Sequence, residues 1–538
     1  MSLKVVCIVD KVGTALDRLG HSTERYNDNL NYQVIDCHPK RPSREQLEKI
    51  EKECRDADVI DAQYYRTIEK LREIFPWLKE KKTILTHNNP YSIEDGTWND
   101  YDIVVANNNY IFERLSKITD SHLEHIPITL DTDFWKYNVD WKADSSQIMS
   151  VIMVANRIES SKGILPVAKA CKKLGMSLQL VGAVSNGDYF NEIIDTGAVT
   201  FHEQISDEEL RNLYYKSSVH ICNSKDGFES GPMPAVEAML CGVPVITRLV
   251  GHMPEINNGE NMVVNEKDPD DVENLVELIH NLVSDKKKME EMRDKAWNSV
   301  KVRSNERRAF MYQKLYREVL FPNQAPVTVV LPIFDKPEVI RKALDAVGNQ
   351  THQNIELIVT DDSLGTENKE IVQEFSRYVN IPVRYLKTVQ YVADPSNPKG
   401  YKDYGLARAR NLATIEATSD IIVYADQRQV LEPNCVENFV SKMKPNYWLY
   451  GNKGIKKEFV ENLSAVYRQD VLRIGGFNER INKYGGQSEE IRKRMRLSGI
   501  TTEFVENAKA TPTGKSSNRN RKRQEIIAMK NKIWKMFG

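Results

Sequence analysis

Residues Ser224 to Ile256 read SKDGFESGPMPAVEAMLCGVPVITRLVGHMPEI, and this stretch decides the fold of the middle of the chain. Two glutamates, Glu229 and Glu237, stand eight residues apart with a Gly-Pro turn between them. A helix is predicted to start near Pro234. Glu229 then falls in the loop before it and Glu237 within its early turns. The run "VPVITR" that follows reads as a strand. A helix N-terminus favours an anion such as a phosphate. A carboxylate beside it accepts paired hydrogen bonds from the hydroxyls of a ribose or hexose. Loop, helix start and two glutamates together suit a nucleotide-sugar. The plainer alternative is that the glutamates only cap and solvate the helix.

Outward from this stretch, short apolar runs alternate with longer helical patterns, the signature of parallel α/β domains. Upstream lie "QIMSVIMVANR", "SLQLVG" and "VHICNS" and, in the first third, "LKVVCIVD", "ADVIDAQ", "KTILTH" and "DIVVAN". Downstream, "FPNQAP" from Phe321 to Pro326 reads as a linker. The pattern then restarts with "VTVVLPIF", "IELIVTDDS", "VRYL" and "DIIVYAD". The expected domains are 1–145, 146–321 and 326–507, followed by a basic tail, 508–538.

The chain has 538 residues, too many for one hydrophobic core. With 41% hydrophobic and 28% charged residues it has a soluble globular composition, and a net charge of −1 argues against nucleic-acid binding by the chain as a whole. The N-terminus reads as a strand rather than a signal peptide, and no run is long enough to span a membrane. Seven scattered cysteines without a CxxC pair point to a reducing cytoplasm and away from zinc.

The Ser224–Ile256 stretch resembles the C-terminal half of the retaining GT-B glycosyltransferases of family 4, through "EAMLCGVPVI" and "VGHMPEI". Upstream, "VANRIESSKG" is similar to that family's Gly-Arg…Lys-Gly segment, with Asn156 in place of glycine. The resemblance implies that Arg157 and Lys162 grip the donor diphosphate, where cations stabilise the charge of the leaving group. "ILTHNNP" places His87 where the family has a histidine beside the sugar. A hydrogen-bonded strand-end histidine is the plainer reading. "ITLDTDFW" resembles the link between the halves, and "DKVGTALDRLG", with Gly13, a first phosphate-facing loop. The implied set is Glu229, Arg157, Lys162 and His87 for catalysis, with Glu237, Gly231, Met233 and Gly13 around the donor. The implied fold is two Rossmann-like halves with the ligand between them, at the C-terminal ends of the strands. The implied chemistry is front-face transfer with retention, with no metal and no protein nucleophile.

Residues 326–507 resemble the GT-A glycosyltransferases of family 2. The opening "VTVVLPIFDKPEVIRKALDAVGNQTHQNIELIVTDDS" carries the likeness, as do "ARARNLA" and "LSAVYRQDVLRIGGFNERI". The resemblance implies donor contacts from Asp361, Asp362 and Arg410. It also implies a metal motif in "YADQRQVLEP", with Asp426 in the first acidic position. The second position holds Arg428, and the slot for a general base in "YGGQSEEIRKRMRLSG" holds Gln487 and Ser488, with Glu489 one residue on. The divalent cation the family implies, manganese or magnesium, therefore lacks a ligand. Two readings stand open: Arg428 replaces the cation at the diphosphate, or the domain no longer transfers sugar and binds an acceptor or a protein.

Lys515 to Lys535 holds eight basic residues and one acid. Ile526, Ile527, Ile533, Trp534 and Phe537 fall at helical spacing, which suits an anionic membrane surface, a nucleic-acid backbone, or packing on the GT-A domain. The expected function is a cytoplasmic glycosyltransferase, with peripheral membrane contact through this tail as one alternative to its packing on the GT-A domain. It would act from a nucleotide-sugar on a glycan or lipid-linked acceptor, with an active GT-B site. The alternatives are a bifunctional enzyme, glycosylation of hydroxymethylated DNA, and a glycan-binding scaffold.

Overall fold

The computed structural model describes residues 3–10, 15–27, 29–89, 92–141, 150–203, 205–225, 229, 231–334, 336–363, 365–388, 405–454, 458–481 and 486–513. Gly13 and the Lys515–Lys535 segment lie outside them. The chain divides into two compact units. One comprises Val5–Tyr26 and Gln33–Ala309; the other begins at Phe310 and takes in Asn27–Tyr32.

The first unit holds two six-stranded sheets. In one, the strands Asn31–Asp36, Lys4–Val9, Val59–Ala62, Thr83–His87, Ile103–Ala106 and His122–His125 lie side by side. Its inner strands are largely apolar runs, as burial on both faces favours, with the buried Asp61 accepting from Gln63. Helices such as Arg44–Arg55 cover it, and Ser43 starts that helix with a capping box.

The other sheet runs Val263–Val264, Val245–Thr247, Val219–Cys222, Ser150–Ile158, Ser177–Val184, Val199–His202. Its first and fourth strands in chain order, Ser150–Ile158 and Val219–Cys222, are parallel neighbours. The winding reverses between them, which opens a crevice at their carboxyl ends. The chain then returns to the linker between the halves. Leu130 bridges Ser304, its N–H donating to the Arg303 carbonyl and its carbonyl accepting from the Asn305 N–H; Thr129 Oγ1 donates to Asn305 Oδ1 at 2.8 Å, and the Arg308 guanidinium reaches Gln63 at 3.0 Å.

The second unit is a mixed eight-stranded sheet. The strands Val383–Lys387, Ile355–Asp361, Val327–Ile333 and Ile421–Tyr424 are parallel; Ser464–Tyr467 pairs antiparallel with the last of them. Tyr447–Asn452, Thr501–Pro512 and Gln429–Leu431 complete it. Trp448, fully buried, stacks on Tyr424 and meets Phe459 and Phe477 edge-on. The molecule is thus two Rossmann-like halves followed by a third α/β sheet. No described helix is long and apolar enough to cross a membrane. All seven cysteines are buried free thiols.

One backbone position fixes the crevice of the first unit. Gly163 has φ +59°, and a Cβ there would meet the Asn223 carbonyl oxygen at 2.4 Å. Asn223 in turn donates to the carbonyls of Gly163 and Pro269 and accepts from Asn265, so the two strand ends are tied. Gly163→Ala is expected to cost about 1–3 kcal/mol from the left-handed backbone alone. It should lower the melting temperature of the unit in calorimetry, whereas Gly175→Ala, with open space around it, should cost less.

Candidate functional site

Two groups of charged side chains gather where parallel strands end. The first lies in the crevice between Ser150–Ile158 and Val219–Cys222. Lys162 closes a 3-10 turn, Ser160–Lys162, just past the first strand, and is only 7% exposed. Its ammonium meets Glu229 Oε1 at 2.5 Å, and the Ser224 hydroxyl donates to the same oxygen at 2.9 Å. Arg157, near the end of its strand, has an exposed side chain whose guanidinium lies 3.6 Å from Glu159. The structure thus brings Lys162 and Glu229 together, and leaves Arg157 accessible.

Glu237 belongs to a separate network. The helix Met233–Leu240 starts one residue ahead of the expected Pro234, and Glu237 lies in its second turn. The Tyr214 hydroxyl donates to Glu237 Oε2 at 3.0 Å. Burial of the carboxyl pushes its pKa up to about 7, against the lowering effect of that bond, although part of the side chain still meets solvent. Gly231 sits where the chain passes a buried histidine: a Cβ would fall 2.2 Å from His252 Nδ1. Met233, half-buried, begins the helix. His87 is 1% exposed, packed edge-on to Trp98 and Tyr65, and burial lowers its pKa to about 4. It is a neutral imidazole at neutral pH.

The second group lies at the carboxyl ends of the third sheet's strands. Asp361 accepts bonds from the Ser363 backbone and hydroxyl, Asn368, Tyr385 and Lys387. Burial alone would raise its pKa, but these bonds outweigh it and hold the carboxyl below its usual range. Asp362 is raised by burial and accepts from Thr388 and from the Gly405 N–H, at a point where any Cβ on residue 405 would collide with it.

Asp426 stands two residues past the strand Ile421–Tyr424, and Arg428 folds back onto it. Nε donates to Oδ1 at 3.0 Å, Nη2 to Oδ2 at 2.9 Å, and the Arg428 backbone N–H to Oδ1 at 2.9 Å. Burial would raise Asp426; the arginine outweighs it and keeps the carboxylate ionised. Arg410, 1% exposed, is paired with Glu461 at 2.7 Å, and the Ser488 hydroxyl also donates to Glu461. Glu490 is held by a fork from Arg494. Lys453 is buried and donates to Asn462 Oδ1 at 2.7 Å, and Asn462 reaches Asp426 at 3.4 Å.

The motif reading passed over Glu461, Lys453 and Asn462, and also Tyr214 and Ser224. Only the acidic Glu461 and basic Lys453 flanking the acceptor-side segment hinted at them, since their meeting depends on antiparallel pairing of distant strands.

A divalent ion does not fit this second group. Both Asp426 oxygens are taken by Arg428, the second acidic position is that arginine, and Glu461 is bound by Arg410 and Ser488. Among the described residues no three His, Cys, Asp or Glu side chains converge there at ligand spacing. Hard cations take several oxygen ligands.

Three family models match parts of the chain. The model described as glycosyl transferases group 1 matches residues 141–298, and that of glycosyl transferase family 2 matches residues 328–453. A third, described as the N-terminal domain of galactosyltransferase, matches residues 445–516. Glycosyltransferase GlyA of Streptococcus pneumoniae is 26% identical over 117 residues, 22% of this chain and 15% of its own length. The GalNAc(5)-diNAcBac-PP-undecaprenol beta-1,3-glucosyltransferase of Campylobacter jejuni is 25% identical over 142 residues, 26% of this chain and 41% of its own. The chain therefore spans less than half the length of either relative. Among solved structures, sucrose-phosphate synthase of Thermosynechococcus elongatus is similar over 60% of this chain and 100% of its own, with TM-score 0.48 and 17% identity. A glycosyltransferase of Rickettsia africae is similar over 59% of this chain and 99% of its own, with TM-score 0.48 and 17% identity.

The Tyr214 bond is what keeps Glu237 from rising further. Tyr214→Phe should therefore move the Glu237 titration upward from about 7. Carboxyl-stretch infrared difference spectra against Glu237→Gln read that midpoint directly, and a downward shift would contradict the assignment.

Proposed function

From a chain that carries a glycosyl transferase group 1 domain followed by a family 2 domain, we propose an enzyme that moves a sugar from a nucleotide-sugar with retention at the first unit's crevice. The observation that carries this is the buried Lys162, held against Glu229 at the mouth of a parallel-strand switch point. A buried ammonium with a carboxylate partner keeps two further N–H donors for an anion. A donor diphosphate placed there would share Lys162 with Glu229 and draw on the accessible Arg157. The two cations would then lower the energy of the departing nucleoside diphosphate. Glu237, once ionised, accepts from ribose hydroxyls, with Gly231 and Met233 lining the approach. His87, neutral and enclosed among aromatic rings, contributes shape and not charge. No metal is required for this step.

The acceptor is a glycan, on a lipid carrier. The name of the Campylobacter jejuni relative, which contains a diphospho-undecaprenol-linked saccharide, supports that class. The enzyme works in the cytoplasm, and a basic segment beyond the described residues serves as a membrane contact. The third sheet has lost ordinary metal-dependent inverting transfer, because the Asp426–Arg428 fork occupies the first acidic position of the metal motif and the slot for a general base holds Gln487 and Ser488.

Glu229→Gln and Arg157→Ala should each lower transfer on the order of a hundredfold, the loss of one aligned transition-state contact. The assay follows a panel of labelled nucleotide-sugars into butanol-extractable lipid-linked glycan, with the product anomer read by NMR. Wild-type transfer should be unchanged in EDTA. Inversion at the anomeric carbon, or full rates in both variants, would overturn the reading.

A further inference from the structure

We propose that the pocket at the carboxyl ends of the third sheet's strands binds a diphosphate without a divalent ion, using Arg428 and Lys453 as its counter-charge. The family to which residues 328–453 are matched leads one to expect a metal here, and the side chains do not fit one.

The charge balance of the pocket points the same way. Three cations, Arg410, Arg428 and Lys453, surround two carboxylates, Asp426 and Glu461. Arg410 is buried inside the fold, paired with Glu461 and lying over the Phe477 ring. Arg428 is different: its side chain is 49% exposed while Asp426 beneath it is 10% exposed. Asp426 thus acts as an anchor that holds a half-exposed guanidinium in a fixed plane, and a planar fork of this kind suits phosphate oxygens.

Lys453 supplies the second cation. It is 8% exposed, and among the described residues its ammonium has one hydrogen-bond acceptor, Asn462 Oδ1. An ammonium carries three donors. Burying it with so few acceptors is costly, and burial accordingly drives its pKa down to about 8, against the pull of Glu461 and Asp426. A dianionic ligand would relieve that cost. Asn462 connects the two cations, since it accepts from Lys453 and donates to Asp426, the carboxylate that orients Arg428. The net surplus is one positive charge in a largely buried cluster of side chains, where a divalent ion would be repelled and a diphosphate attracted.

The diphosphate belongs either to a nucleotide or to an isoprenoid carrier, both of which fit the reading of the chain as a glycosyltransferase on which this proposal rests. The test uses the full chain carrying Arg157→Ala and Lys162→Met, which removes both cations of the first unit's crevice, and measures calorimetric binding of inorganic pyrophosphate in EDTA. One site per chain is expected. Lys453→Met should weaken it by about tenfold or more, the loss of a charge-assisted bond. Arg428→Asp should abolish binding in EDTA and restore it when manganese is added, a switch that a merely structural arginine would not produce. Thermal melting checks that this variant keeps the fold. Uridine diphosphate and farnesyl diphosphate as alternative probes assign the source: whichever competes with pyrophosphate names it. Absence of EDTA-resistant binding in the parent, or binding indifferent to both substitutions, would overturn the proposal. Neither result would touch transfer at the first crevice, which is measured in the protein without those two substitutions.

Discussion

A parallel strand buried on both faces has one place to present a polar side chain, which is its end. All three sheets are built mainly of such strands, and their interiors are continuous runs such as VVCIV and VTVVLPI. Polar chemistry is therefore expelled to the carboxyl ends, where the chain turns and backbone N–H groups face outward. Lys162, Glu229, Asp361 and Asp426 all lie there. The same constraint explains why the turns at these ends are so closely specified. Gly163 and Gly405 each stand where one added carbon would strike a neighbour that holds a functional carboxylate or strand end.

The two charged groups answer one problem in two ways. In the crevice of the first unit, a buried lysine is offset by one glutamate and backed by an exposed arginine. In the third sheet, an aspartate is covered by an arginine two residues along, and a lysine waits behind an asparagine. Either arrangement keeps positive charge in a low-dielectric place without leaving it unpaired, which would be far more costly. Where a carboxylate pair would have had to recruit an ion from solution, the Asp426–Arg428 pair carries its cation in the chain.

The fold was legible because burial writes itself into sequence as periodicity. The strands VVCIV, VIMVA and VTVVLPI are almost wholly apolar, and the two family-model matches lie at 141–298 and 328–453, over the stretches whose motifs carried the resemblance. The helix after Pro232 could be placed from a proline, and its start differs from the expected one by a single residue. Partnerships across the sheet were not legible. Nothing in the spacing of Ser488 and Glu461 says that their side chains meet, because the contact depends on how the helix Gln487–Leu497 packs beside the turn that precedes the strand Ser464–Tyr467. Arg410, for which the resemblance implies a donor contact, is paired with Glu461, a partner its motif does not announce. Tyr214 was silent for a similar reason: it approaches Glu237 from a different helix.

The distribution of the buried thiols has a use of its own. Cys7, Cys37 and Cys54 lie in the first Rossmann-like half, Cys171, Cys222 and Cys241 in the second, and Cys435 under the third sheet. Burial pushes the Cys37 and Cys171 thiols up to about 12 and Cys222 up to about 11, so hardly any thiolate exists at neutral pH. A thiol without thiolate and without access does not alkylate. Each cysteine therefore becomes reactive only when the layer around it opens. The mass gained on peptides from the three layers reports, in one experiment and without any introduced label, which part of the chain breathes first.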